Sequence, residues 1–266
     1  MLLANILNCE YNHMHPEDKD MGVTSLSIVF PMYNEKGNIE VAVRDALIVG
    51  YKMAPEVEVI IVDDASNDGS GETAECLADK YPEVRVLHNP RNMKLGATLR
   101  RGFSEALNEW ILYMDSDLPF PMHEALNALP FIQGADMIIG WRISRMGSMR
   151  RDVMSFAYNQ LVRCCFGLRV KDVNFAFKLF RRTFYRQIKL ISNGSFIDAE
   201  LILEMERHGA RIKEIPMSYC PRVAGVSTLS SWSVVWKILE EMTYYRVHNS
   251  IQQRSRRATD NPGGEC

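Results

Sequence analysis

The sequence predicts an α/β chain built on an open, doubly wound sheet that is mixed but mostly parallel. Three observations predict it. Short apolar runs alternate with longer stretches of helical spacing from Leu26 to Ile139. Several runs end in polar or acidic clusters, where ligands bind in such sheets. Beyond residue 143 the regular alternation stops, which separates a nucleotide-binding half from an acceptor-side half.

Taken in order, Leu26–Phe30 reads as a strand that Pro31 ends, and Gly37–Val49 has helical spacing. Val57–Val62 is a β-branched strand, Gly71–Tyr81 a helix, Val84–Leu87 a strand and Leu95–Glu109 a helix. The strand Ile111–Met114, a helix near Met122–Gln133 and the strand Met137–Ile139 follow. In the second half, Arg150–Phe166 reads as a helix holding a core Cys164-Cys165 pair, and Val173–Phe180 as an aromatic strand. Asp198–His208 is a helix ended by Gly209, Ile212–Ile215 a strand before Pro216, and Ser230–His248 a C-terminal amphipathic helix. The expected organisation is a flexible leader over 1–22, a single domain over 23–248 and a flexible tail over 249–266.

Composition narrows the function. With 266 residues the chain can bury a sizeable core, and a net charge of −2 gives no support to nucleic-acid binding. The six cysteines form no CxxC pair and no run approaches the ~18 apolar residues of a membrane span, so a cytoplasmic, soluble or peripheral protein is expected. A GxGxxG loop and a P-loop are both missing from the sequence, which argues against dinucleotide oxidoreductases and P-loop NTPases.

The chemistry concentrates at strand ends. In Trp110-Ile-Leu-Tyr-Met-Asp115-Ser116-Asp117 a buried-strand pattern ends in two carboxylates one residue apart. Side chains two apart in an extended backbone share a side, and two hard oxygen donors suit Mg²⁺ or Mn²⁺ on a phosphate. The alternative is one helix cap and one solvated acid. Pro31-x-Tyr33-Asn34-Glu35 follows the first strand, Asp63-Asp64-x-Ser66-x-Asp68-Gly69 the second, and Gly140-x-Arg142 the fifth.

These four motifs, in this order, resemble the family 2 glycosyltransferases of the GT-A fold, and most closely the polyprenol-phosphate sugar transferases typified by dolichol-phosphate mannose synthase. The resemblance spans roughly residues 25–230. It implies a nucleotide-diphospho-sugar donor of the GDP-mannose or UDP-hexose type and a polyprenyl phosphate acceptor. It also implies a peripheral site on the cytoplasmic face of a membrane, with a possible membrane subunit. Tyr33 would stack on the base, Glu35 and Asp64 would bond base or ribose, and the backbone at Pro31 and Val62 would wall the pocket. Asp115 and Asp117 would hold the metal on the diphosphate with Ser116 nearby, and Asp117, Arg142 and Arg151 would carry the chemistry. Arg142 would meet a phosphate in bidentate geometry, and Arg151 and Arg222 would bind acceptor or donor phosphates.

Pro119, Phe175-Ala176-Phe177 and Thr228 stand where the mannose synthases often carry Gln, Ser-Gly-Phe and Lys, and these positions bear on sugar identity. Two alternatives share the donor half: transfer to a hydroxyl in polysaccharide or glycoconjugate synthesis, and a non-catalytic nucleotide-sugar binding subunit. A hydroxyl acceptor needs a general base, for which Asp198 and Glu200 are the acidic candidates; both can instead serve as helix N-terminal charge. Trp232, Val235, Trp236, Leu239 and Met242 form one stripe of the last helix, either a membrane face or a packing face.

Overall fold

A computed structural model describes residues 23–143, 149–219 and 237–248, with the side chains of 149–153 outside that description. The sheet has seven strands: β1 (Ser25–Met32), β2 (Glu56–Asp63), β3 (Val84–His88), β4 (Trp110–Tyr113), β5 (Met137–Arg142), β6 (Lys178–Arg181) and β7 (Ile212–Met217). Their spatial order is β3-β2-β1-β4-β6-β5-β7. Strands β1 to β4 run parallel, β6 is antiparallel to both β4 and β5, and β5 pairs parallel with β7. The expected mixed, mostly parallel sheet is what forms.

The helices are α1 (Ile39–Met53), α2 (Ser70–Lys80), α3 (Lys94–Glu105), α4 (Met149–Phe166), α5 (Arg182–Tyr185), α6 (Ile197–Arg207) and α7 over 237–248. The central strand β4 and the inner parts of β1, β2 and β5 are apolar because both faces are covered. Val59 and Ile61 of β2, with Trp110 and Leu112 of β4, pack on one side with α1. Ile60 and Val62, with Ile111 and Tyr113, pack on the other with α3, α6 and α7. Each such fully buried large aliphatic side chain contributes about 1.5–3 kcal/mol, which is why the two-sided pattern dictates the layering.

Several elements differ from the sequence reading. Helix α3 stops at Glu105 because side chains of β1 and β2 capture the next backbone groups: Leu107 N donates to Glu58 (2.7 Å), Asn108 N to Ser27 (3.1 Å) and Glu109 N to Ser25 (3.0 Å). Met122–Phe131 is a 3₁₀ segment with Pro130 inside it, where an α-helix was expected. Of the expected strand Val173–Phe180 only Lys178 to Phe180 is strand. Val173 N is taken by Asn159 Oδ1 (3.0 Å) and Phe177 N by Phe175 O (2.9 Å), so these groups do not pair with a neighbouring strand. Pro216 lies within β7, where its missing donor is tolerated because β7 is an edge strand. Cys164 is exposed and Cys165 half-buried, so the cysteine pair is not core.

The described part of the last helix takes one of the two alternatives left open by its sequence. Met242 is buried and Leu239 half-buried against the core, together with Ile238 and Tyr245. Glu241 accepts from Gly194 N (2.5 Å) and Phe196 N (3.2 Å), the residues leading into α6. The described part of the stripe is therefore a packing face. Trp232, Val235 and Trp236 lie outside the described residues.

Strain gathers at one rim. Asn34 (φ 58°), Ala65 (φ 60°), Lys94 (φ 70°) and Leu118 (φ 50°) are left-handed non-glycine residues in the connections after β1, β2, β3 and β4. Such residues cost of order 1–3 kcal/mol each and cluster where a site is built.

Candidate active site

The loops after β1 and β2 are tied together above the sheet. Asn34 N donates to Ser66 Oγ (2.9 Å), Asn67 N to Asn34 Oδ1 (2.9 Å), Glu35 N to Ser70 Oγ (2.9 Å) and Asp64 N to Met32 O (2.8 Å). Pro31 and Val62 are register partners in the β1–β2 pair, and the Val62 side chain is buried, so what it offers a pocket is backbone. Tyr33 is 47% exposed at this rim. The Glu35 carboxylate accepts from Asn38 Nδ2 at 2.7 Å. Asp64 is buried and caps α3: Oδ1 accepts from Asn89 Nδ2 and Met93 N (both 2.7 Å), and Oδ2 from Lys94 N (2.9 Å). Since a carboxylate has about four acceptor sites, Asp64 keeps little capacity for a nucleoside.

The centre of the rim is the turn after β4. Ser116 is buried and donates to Pro31 O at 3.1 Å, so its hydroxyl fastens the turn to β1 instead of facing a ligand. Asp115 and Asp117 flank it, both half-buried, and Leu118 takes up the left-handed turn. Tyr113 Oη donates to Asp115 Oδ1 at 3.1 Å. Two hard oxygen donors at an open rim fit Mg²⁺ or Mn²⁺, which take few protein ligands and keep positions for phosphate and water. Among the described residues no group of three or more His, Cys, Asp or Glu side chains is placed to hold a metal by itself.

At the end of β5 the arginine is already oriented. Arg142 Nε lies 2.6 Å from Asp172 Oδ2 and Nη2 3.0 Å from Oδ1, a two-point pair, with Nη2 also 3.3 Å from Ser155 Oγ. The guanidinium sits over Tyr219 (5.5 Å) and Phe175 (6.0 Å). Gly140 is required beside it, because a Cβ there would strike Phe175 and Met217.

Neither candidate base presents itself to an acceptor. Asp198 is buried and pairs with the buried Lys178 ammonium at 2.5 Å, and burial pushes its carboxyl up against the pull of Lys178. Glu200 is buried and accepts from Ile191 N (2.7 Å) and Ser192 N (2.8 Å). Burial raises its carboxyl too. Arg151 lies on α4, but its side chain, like the whole of Arg222, falls outside the description.

A family model, glycosyl transferase family 2, matches residues 27–189. The chain belongs to that family. It is 30% identical over 222 residues to the polyprenol monophosphomannose synthase of Mycolicibacterium smegmatis, covering 78% of this chain and 82% of that protein. It is 30% identical over 216 residues to the undecaprenyl-phosphate mannosyltransferase of Micrococcus luteus, covering 76% and 86%. The fold matches glucosyl-3-phosphoglycerate synthase from Mycobacterium tuberculosis, crystallised with Mn²⁺ and UDP-glucose, at TM-score 0.63 and 18% identity over 83% of this chain and 79% of that one. The glycosyltransferase is thus an α/β, GT-A-like enzyme.

Sequence reasoning assigned no partner to Tyr113, Asp172 or Lys178 and did not foresee the contact between Asp63 and His88. Asp172 partners an arginine 30 residues away, and Asp63 binds His88 across 25, separations that carry no local pattern. Lys178 did leave a signal: a lone lysine within an apolar run must find a buried counter-charge.

Proposed function

We propose that this transferase moves a sugar from a nucleoside-diphospho-sugar, of the GDP-mannose or UDP-hexose type, to a polyprenyl phosphate, inverting the anomeric carbon. The observation that carries this reading is the engagement of Asp198 with Lys178 and of Glu200 with the 191–192 backbone. An acceptor hydroxyl needs a base at its oxygen, whereas a phosphate monoester, with a second pKa near about 6, arrives ionised. The mannosyltransferase relatives support the same acceptor.

Tyr33 stacks on the base, the walls at Pro31 and Val62 and the acid Glu35 frame it, Asp64 fixes the start of α3 beside them, and Asp115 and Asp117 would hold Mg²⁺ or Mn²⁺. Bound there, such an ion would supply charge neutralisation for the leaving diphosphate. Arg142, with its plane set by Asp172, and Arg151 bind the attacking phosphate, while Arg222 meets a donor or acceptor phosphate. Holding the acceptor oxygen in line behind the anomeric carbon supplies much of the acceleration.

A polyprenyl acceptor puts the enzyme on a membrane surface, in this reading the cytoplasmic face, with or without a membrane subunit. No described helix is long and apolar enough to cross a bilayer. Tyr244 and Val247 are the large apolar side chains exposed on α7, beside Lys237 and Arg246, a combination that suits anionic lipid. Sedimentation with anionic vesicles tests this: Tyr244→Glu with Val247→Glu weakens binding, and unchanged binding removes α7 as the contact. The acceptor is tested by offering polyprenyl phosphate and polyprenol as rivals with one labelled donor. Product on the phosphate supports the reading, and product on the alcohol alone overturns it.

A further inference from the structure

Beneath the paired aspartates lies a polar arrangement that the transfer reaction as described does not use. Tyr113 ends β4 and is 1% exposed, yet its hydroxyl reaches the rim and donates to Asp115 Oδ1 at 3.1 Å. Its direction is set from two sides. Phe103 meets the ring edge to face (centroids 6.0 Å apart), and the Lys178 ammonium lies 5.2 Å from the ring centroid. Lys178 stands directly opposite Tyr113 in the antiparallel β4–β6 ladder, and its ammonium is held by Phe175 O (3.0 Å) and Asp198 Oδ1 (2.5 Å). A buried phenol needs a partner for its hydroxyl, and here that partner is the first of the two rim carboxylates.

We propose that Tyr113 is a positioning residue for the divalent cation: its hydroxyl fixes the Asp115 carboxylate in the orientation that presents it to the metal, and Lys178 with Asp198 holds the ring that does so. This rests on the cation reading of Asp115 and Asp117 above. The physical reason is preorganisation. A carboxylate free to turn about its terminal torsion loses rotamer freedom on binding a metal, and a donor fixed in the core removes that loss in advance. Hydrogen bonds to metal-ligating groups are typically worth about 10- to 100-fold in affinity.

The test uses the full-length chain and Mn²⁺, with and without GDP or UDP, reading free Mn²⁺ by electron paramagnetic resonance. Tyr113→Phe keeps the ring, its contact with Phe103 and its place over Lys178, and removes only the donor. It weakens Mn²⁺ binding by about 10- to 100-fold, while the unfolding midpoint moves little and the donor KM at saturating Mn²⁺ is unchanged. Wild type also gives a tyrosine difference-absorbance signal on adding Mn²⁺ that the variant lacks, a readout independent of the variant's stability. Asp115→Asn separates the two levels. If Asp115→Asn loses Mn²⁺ and Tyr113→Phe binds as wild type, the positioning role is overturned and the cation site stands. If neither substitution alters Mn²⁺ binding, Asp115 is not a ligand and both readings fall.

Discussion

Arg142 and Asp172 form a two-point ion pair across the acceptor side of the sheet, with contacts of 2.6 and 3.0 Å and both side chains largely shielded from water. The pair decides how a phosphate would be met. A guanidinium whose plane is fixed in advance spends less freedom on binding than an arginine loose on a surface.

Arg142→Ala therefore lowers kcat/KM for the polyprenyl phosphate by about 10²-fold or more, because a preorganised charge donor is lost. Arg142→Lys does not restore it, since an ammonium cannot reproduce the planar fork. Asp172→Asn gives a smaller loss in the same direction. Steady-state kinetics with the acceptor varied checks the series; a fully active lysine variant would remove Arg142 from the phosphate site.

Lys178 and Asp198 are a structural pair, and breaking one partner strands the other. Asp198→Asn and Lys178→Met each destabilise the fold by about 3–5 kcal/mol, whereas replacing both by apolar residues recovers much of the loss. Urea unfolding of the two singles and the double measures this. Were Asp198 a general base instead, Asp198→Asn would abolish one limb of the pH–rate profile while leaving stability nearly intact.

His88 bridges Asp63 (2.8 Å) and Glu75 (2.7 Å) at the end of β3. The hydrogen bond to Asp63 first, and that to Glu75 second, raise the imidazole above its ordinary 6.5. A raised value in the folded state means that protonated His88 favours folding. Its contribution is complete below about pH 6.5 and fades as pH rises through the raised folded value. His88→Gln should therefore narrow the stability gap between mildly acidic and alkaline buffer seen in wild type, measured by denaturant titration at both. An equal gap in the two proteins would show that the bridge contributes nothing.

Of the four parallel strands β1, β2 and β4 were legible because each has a buried apolar run ending in a polar cluster, a pattern that burial on both faces imposes. The rim motifs were legible for the same reason. The second half resisted reading where side chains replace strand pairing, as Asn159 does at Val173, and where Glu58, Ser27 and Ser25 end α3. Asp64 shows the remaining gap. Its place in the motif suggests a nucleoside contact, but its carboxylate meets two backbone N–H groups at the start of α3, and only the fold brings them there.

The most direct measurement is transfer of labelled sugar to polyprenyl phosphate, screened across GDP- and UDP-sugars with Mn²⁺ or Mg²⁺. The account expects a lipid-linked product that vanishes with chelator and falls by several orders of magnitude when Asp115 and Asp117 are both alanine. Undiminished product from the doubly substituted enzyme, or from chelated wild type, would contradict it.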